Sequence, residues 1–333
     1  MANSKILLND RRAPPPGRNE VECVDGVLLA VKLMCSHFLF ELQGRIQHIF
    51  GMEESQRAVY TASNYAKIFH GPSHTAVNMD WLSHCLNFFR HHMMSEDART
   101  LHGNMSELSE AQKPSAWQEA LNTGAYPLGR HWKGTYAFLE ASEIAKLRRM
   151  DPDKACSEYF MDQNVDEGKI QVRNPTLTRA NLVAKRLQSL ELEFMPRGKH
   201  MKWPQVFEDR LHSLNNSGEP RIKTQGRSKS KPTNRNGENI QFVGTGEDLD
   251  DDFNAVGWLN PLPPQWGIPG WQRITFMKHF MENFAEVEQD NLWAYEGVVL
   301  PGGRIILGRW WYASEQVNLD VSRSEKPRRR TLY

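Results

Sequence analysis

The stretch WAYEGVVLPGGRIILGRWW, Trp293 to Trp311, predicts the element around which the fold is organised. Two runs of β-favouring residues flank Pro-Gly-Gly, so we predict a hairpin with a two-residue turn at Gly302 and Gly303. The register then pairs Leu300 with Ile305, Val298 with Leu307, Gly297 with Gly308, Glu296 with Arg309 and Tyr295 with Trp310. A directly opposed Glu and Arg can stabilise a packed corner of the fold or form the floor of a site.

Further strand-forming segments precede the hairpin at short spacing. They are short, several of them alternate apolar and polar residues, and turn-forming residues separate them. These segments are His131–Glu140, Ser189–Phe194, Asn239–Gly246, Asn254–Leu262 and Trp271–Phe280. Several short strands joined by turns predict a sandwich or a barrel, and we expect an antiparallel β-barrel of about eight strands.

The N-terminal third of the chain has helical periodicity instead. Apolar residues recur at three- and four-residue steps between Asp25 and Ile49, and again over Met79–Met94. Shorter helical pieces are predicted within 101–126, and no strand alternation appears before residue 130. We therefore predict an α+β chain, with a flexible arm at 1–21, a helical region at 22–127, a barrel at 128–313 containing a disordered basic insertion at 215–238, and a basic tail at 314–333.

Composition narrows the class of protein. Lys and Arg number 41 against 40 Asp and Glu, a balance that argues against nucleic acid and anionic membranes as partners. The four cysteines form no CxxC pair, which is typical of a reducing compartment. The N-terminus lacks the apolar segment of a signal peptide, and the most apolar stretch, 26–50, is too polar to span a bilayer. We expect a cytoplasmic or nuclear protein.

Catalytic and metal motifs are absent from the sequence. It contains no Walker loop, HExxH, GxSxG or GxGxxG, so no catalytic residue or cofactor is predicted and a binding protein is favoured over an enzyme. Asp248, Asp250 and Asp252 alternate like the start of a calcium loop, but Phe253 and Leu259 stand where that loop needs Gly and Glu. We interpret the acidic run as a solvated loop.

Four residues of metal-binding types occur together on the second predicted helix, namely His84, Cys85, His91 and His92. Their spacing matches no known ligand pattern for zinc. We interpret these residues as core or surface side chains and predict no metal site.

Aromatic residues are the most informative feature for function. Seven of the ten tryptophans follow residue 200, and PLPPQWGIPGW, Pro261–Trp271, combines four prolines with two of them. Rigid Pro-aromatic surfaces suit recognition because little entropy is lost on binding, although both tryptophans could instead cap one end of the barrel. The candidate ligand-binding residues are Trp132, Tyr136, Trp266, Trp271, Arg273, Tyr295, Glu296, Arg309 and Trp310.

Two regions resemble known families. LLAVKLMCSHFLFEL, Leu28–Leu42, resembles the second half of an F-box, and the segments WKGTY, FVGTG and GIPGWQRITF with the hairpin resemble the C-terminal β-barrel of mostly uncharacterised fungal F-box-type proteins. The barrel also resembles calycins, in which a tryptophan on the first strand packs near an arginine on the last. Trp132 and Arg309 occupy those positions here. The resemblance implies a degenerate F-box-like region followed by a calycin-like barrel.

The resemblances imply two main functions. The first is a substrate-recognition subunit of a ubiquitin ligase, whose helical region docks a Skp-type adaptor while the barrel mouth holds a protein or peptide. The alternative is a calycin-like barrel that binds or transforms a small apolar molecule, faced by the polar groups of Glu296, Arg309, Arg273 and Tyr136. A scaffold whose F-box-like region binds nothing is the third possibility.

Overall fold

A computed structural model describes residues 26–36, 55, 58–59, 68–71, 75–94, 100–115, 120–139, 182–184, 187–196, 239–248, 251–282 and 286–313. The predicted arm at 1–21, the insertion at 215–238 and the tail at 314–333 lie outside these residues. Those three predictions therefore stay predictions.

Three helices are described, and they confirm the helical prediction in part. They are α1 (Gly26–Met34), α2 (Met79–Met94) and α3 (Thr100–Glu107). The expected continuous helix to Ile49 is wrong, because α1 ends at Met34 in a turn where the Ser36 N–H donates to the Leu33 carbonyl at 3.2 Å. Helix α2 has its predicted bounds, and the Asn78 side chain caps it by accepting from the Trp81 N–H at 3.1 Å.

A short ladder precedes residue 130, where no strand was expected. Strand β1 (Phe69–His70) pairs antiparallel with β2 (Ala76–Val77). Two residues per strand are too few for an apolar–polar alternation to be visible in the sequence, so the pattern could not indicate this ladder.

Seven of the nine remaining described strands form a curled antiparallel half-barrel, which confirms the α+β class and the barrel-like sheet. The nine strands are β3 (His131–Gly134), β4 (Ala137–Leu139), β5 (Leu182–Ala184), β6 (Gln188–Phe194), β7 (Ile240–Asp248), β8 (Asp251–Pro261), β9 (Gln272–Glu282), β10 (Glu286–Val299) and β11 (Ile306–Tyr312). Within the described residues one sheet has seven strands in the order β11-β10-β9-β8-β7-β6-β3, and β4 and β5 pair separately. The predicted strand 131–140 is thus divided at Thr135–Tyr136.

Glycines on the inner side of the sheet allow it to curl. A side chain at Gly246 would overlap the Ser189 carbonyl oxygen, and one at Gly308 would overlap the Glu296 carbonyl oxygen. Neighbouring strands therefore approach more closely at these points than a residue with a Cβ would permit.

The opening hairpin has the predicted register. Glu296 pairs with Arg309 and Tyr295 with Trp310, and the ladder runs on to Val299 and Ile306. The expected two-residue turn is wrong, because the Gly303 N–H donates to the Leu300 carbonyl at 3.0 Å and residues 301–304 lie outside both strands. In the turn from Leu300 to Gly303, Pro301 is at the second position and Gly302, with φ of 93°, is at the third. Both residues are favoured at these positions.

Two apolar cores lie on opposite sides of the sheet. Val298 and Leu307 lie on the outer side and pack against α1 and α2, together with Trp271. Val299 and Phe242 lie on the inner side, where buried side chains from the five strands β6 to β10 form the second core. The helices are thereby fixed on the strands nearest the β11 edge.

The partly buried imidazole of His92 in α2 gives the fold a predicted sensitivity to acid. Burial, with a smaller contribution from His91, lowers the pKa of His92 to about 3. Below pH ~6.5 the unfolded chain protonates this residue and the folded chain does not, so stability should decrease as pH falls toward that folded-state value. We expect His92→Phe to lose less stability than wild type between neutral pH and pH ~4 in urea unfolding. The exposed variant His131→Phe serves as control, and equal acid sensitivity in all three proteins would contradict this assignment.

Candidate functional site

A cavity of about 1220 Å³ lies on the inner side of the half-barrel. It extends between the edge strands β3 and β11 as far as α2 and α3, since Leu86, Phe89 and Asn104 also border it. On the inner side the main bordering side chains are Trp132, Tyr136, Phe253, Phe276, Lys278 and Tyr295. The inner side of the cavity therefore carries a group of aromatic side chains, here called the aromatic wall, beside aliphatic ones such as Leu190 and Ile274.

The aromatic wall is held by ring contacts across three neighbouring strands. Phe276 and Tyr295 occupy directly paired positions, and their rings stack with centroids 4.4 Å apart and planes 9° apart. Trp310 meets Tyr136 edge-on at 5.4 Å and Trp293 at 4.8 Å. Such contacts stabilise beyond the burial of the rings and leave the wall with few alternative conformations.

A buried ion pair lies beside this wall. Lys278 is 3% exposed, its ammonium pairs with the Asp248 carboxylate, and it lies 4.2 Å from the ring centroid of Phe253 and 5.1 Å from that of Phe280. Burial lowers the pKa of Lys278, and Asp248 partly offsets this effect. The interpretation of the acidic run as a solvated loop is wrong at Asp248, which is the last residue of β7.

Hydrogen-bond donors also border the cavity. Burial raises the pKa of Tyr136 and of Tyr295, and the nearby Asp248 carboxylate adds to both effects, so both phenols stay protonated. The Gln188 amide lies near the Tyr136 hydroxyl and slightly lowers its pKa.

The predicted Glu296–Arg309 pair is confirmed, with a second arginine added. Arg309 Nη2 lies 3.4 Å from Glu296 Oε2, and Arg273 pairs with the other carboxylate oxygen while its guanidinium lies 4.9 Å from the Phe69 ring centroid. Strand alternation puts all three on the outer side, among residues that face the helices. Of the proposed polar set only Tyr136 therefore lies on the inner side of the sheet. Glu296 and Arg309 nevertheless border the same cavity, whereas Arg273 does not.

The two residues that the calycin resemblance brings together lie on opposite sides of the sheet. Trp132 packs with the inner core and donates its indole N–H to the Gly129 carbonyl at 2.7 Å. Arg309 points to the outer side, next to Leu307 in the strand alternation. Trp132 nevertheless borders the cavity, as do Tyr136 and Tyr295, whereas Trp310 packs behind Tyr136.

The tryptophans of the proline-rich loop have different roles. Trp271 is 1% exposed and belongs to the outer core, whereas Trp266 is 59% exposed and has a φ of 49°, which bulky residues rarely adopt. Gln265 holds this turn by accepting from the Val77 N–H at 2.9 Å and donating to the carbonyls of Thr75 and Pro263. Trp271 is therefore structural, and Trp266 is the candidate surface residue.

Ser55, His84 and the exposed Asp80 have the composition of a Ser-His-Asp triad. Ser55 Oγ lies 3.2 Å from His84 Nδ1, but Asp80 Oδ2 lies 3.9 Å from His84 Nε2, beyond hydrogen-bonding distance. Ser55 is fully buried and accepts a hydrogen bond from Asn87 at 2.8 Å. The serine cannot reach a substrate, so the group is a structural network.

Comparison with protein-family models, curated proteins and solved structures found no match to this chain. Its site is accordingly interpreted from geometry. No cluster of three or more His, Cys, Asp or Glu side chains that could hold a metal ion occurs among the described residues. None of the helices in the described part of the chain is long and apolar enough to cross a membrane.

Sequence reasoning missed several cavity residues that strand alternation could have indicated. Phe276 and Lys278 follow Ile274 at two-residue steps, and Phe253 lies across from Gly246 in the β7–β8 hairpin. A lysine at an inward position of an alternating strand is a visible signal. Its partner is not visible, because Asp248 is 30 residues away in the sequence.

Proposed function

We propose that this chain is a binding protein that holds a small, largely apolar molecule on the inner side of its half-barrel, as a calycin-like protein of the cytoplasm or nucleus. The observation that supports it is the cavity of about 1220 Å³ with its wall of stacked and edge-on aromatic rings. Ligand sites are concave, mostly apolar and supplied with a few placed polar groups, and this cavity has each of these features.

The polar groups of the cavity favour binding over reaction. The Lys278 ammonium is neutralised by Asp248, and the phenols of Tyr136 and Tyr295 stay protonated. A nucleophile or a general base would need a group that exchanges protons near neutral pH. These groups instead orient a ligand by hydrogen bonds.

Native mass spectrometry of the full-length chain, purified from the cells that express it, tests this proposal. We expect a bound molecule of low mass that dissociates at higher collision energy and dissolves in organic solvent. Two results together would contradict the proposal. They are a mass spectrum that shows the chain alone, and an unfolding temperature that no neutral ring compound in a panel changes.

Recognition of a protein or peptide within a Skp-type ubiquitin ligase is the second candidate. The observation that favours it is the exposed Trp266, held in an uncommon backbone conformation by the three hydrogen bonds of Gln265. Strained conformations that the surroundings enforce are frequent at functional sites. A pull-down of the full-length chain with a Skp-type adaptor tests this candidate, and no association would exclude it.

A further inference from the structure

We infer that the ligand of this cavity is a ring compound with an alkyl chain, whose ring lies against the aromatic wall and whose chain passes around the edge strand β11 to lie along α2 and α3. This inference rests on the proposed function and names the ligand class for the same site. It follows from the course, the lining and the size of the cavity.

The cavity passes around one edge of the seven-stranded sheet. Strand β11 is the last strand of that sheet within the described residues. Every residue of β11 from 306 to 309 borders the cavity, although consecutive residues of a strand point to opposite sides of their sheet. Ile306 packs with the inner core and Leu307 belongs to the outer one. The cavity therefore continues from the aromatic wall to the side of β11 that faces the helices.

The second part of the cavity, here called the helix-side region, has an apolar lining. The residues that define it are Leu86, Phe89 and Met93 of α2, Met105 of α3, Leu108 just after α3, and Ile305 just before β11. Two of these side chains are methionines, which are unbranched and adapt to an occupant of irregular shape. This lining differs from the aromatic wall and suits an alkyl chain better than a second ring.

The polar groups beside the helix-side region already bond within the protein. Asn104 Nδ2 donates to Thr135 Oγ1 at 2.9 Å, which ties α3 to the segment between β3 and β4. Arg309 and Glu296 pair at 3.4 Å, and their side chains are only 9% and 11% exposed. An alkyl chain would therefore remove little water from this ion pair and would leave these hydrogen bonds intact.

The cavity is larger than a ring alone requires. Ligand cavities of about 300–1,000 Å³ enclose most of a drug-sized molecule. The volume of about 1220 Å³ is above that range. A ring at the aromatic wall would leave the helix-side region to water, and removal of its apolar lining from water by an alkyl chain is favourable.

A homologous series of ketones measures the contribution of the chain. We would determine the dissociation constants of methyl, propyl, pentyl and heptyl naphthyl ketone for the full-length chain by equilibrium dialysis. Each fully buried methylene group should tighten binding about fourfold. Because burial of a flexible chain is incomplete, we expect the heptyl ketone to bind at least about tenfold more tightly than the methyl ketone.

Two tryptophan variants test where the chain lies. Met93→Trp fills the helix-side region from α2, and Leu108→Trp fills it from a half-buried position after α3, which covers the case that the first variant folds poorly. Both variants should bind the methyl ketone within about twofold of wild type and should lose the gain of the heptyl ketone. Met281→Trp is the matched control, because Met281 is exposed on β9 and does not border the cavity. It should keep the chain-length dependence of wild type.

The outcomes separate this inference from the proposed function. Equal affinity of wild type for all the ketones, or a chain-length dependence that both Met93→Trp and Leu108→Trp keep, would overturn the inference and leave the proposed function standing. No binding of any ketone by wild type would overturn both.

Discussion

Replacing Trp271 by alanine is expected to lower the free energy of unfolding by about 3–5 kcal/mol. The indole is 1% exposed in the core between the sheet and the helices, and its removal would leave a large cavity there. Its N–H has no hydrogen-bond partner among the described residues, so the loss reflects packing and not a broken polar contact. Urea unfolding followed by circular dichroism measures the change.

Trp266→Ala is the matched control, because it removes the same side chain from the same loop. Trp266 is 59% exposed, so its loss should cost less than ~1 kcal/mol. Similar losses in the two variants would contradict the assignment of Trp271 to the core and of Trp266 to the surface.

Glu296→Gln should also be strongly destabilising, by about 3–5 kcal/mol. The carboxylate is the shared partner of Arg273 and Arg309, and the substitution removes its charge while keeping its shape. Two arginines, one of them buried, would then lose the carboxylate that they share on the outer side of the sheet. The same unfolding measurement applies.

The matched control for this ion pair is Glu191→Gln. Glu191 lies 3.9 Å from His131, with both side chains mostly exposed, and exposed pairs contribute little to stability. We expect a change within ~0.5 kcal/mol. If Glu296→Gln changed stability as little as this control, the buried charge cluster would not be part of what holds the hairpin under the helices.

Local patterns allowed the hairpin to be predicted to the residue. Pro301 and the two glycines fix where the chain reverses, and alternation then fixes the register that pairs Glu296 with Arg309. The strand register is the same for a loop of two residues and for one of four. The register therefore gave no information on the turn type, which was predicted wrongly.

Long-range arrangement explains the parts that the sequence did not indicate. Which side of the sheet faces the helices depends on packing between distant segments, so the side on which Glu296 and Arg273 lie could not be inferred from alternation. The acidic run has the composition of a loop, and only the folded sheet brings Asp248 to Lys278. Charged residues are mostly exposed in folded proteins, so a run of them predicts a surface segment. The buried pair of Asp248 and Lys278 is an exception to this rule.

The central claim is that the inner side of the half-barrel binds a small, largely apolar molecule. Gly134 of β3 borders the cavity from that side, and a Cβ added there meets no atom within 4 Å, so Gly134→Trp introduces a bulky side chain at the cavity from a position with open space. Gly103→Trp in α3 is the control, since Gly103 has equal space for a side chain and does not border the cavity.

The most direct measurement is a fluorescence titration with acedan, a neutral naphthyl ketone whose emission shifts to the blue in apolar surroundings. We predict saturable binding with a blue shift for wild type and for Gly103→Trp, and at least about tenfold weaker binding for Gly134→Trp. Binding of equal strength in all three proteins would place the ligand elsewhere, and no saturable binding to wild type would contradict the claim itself.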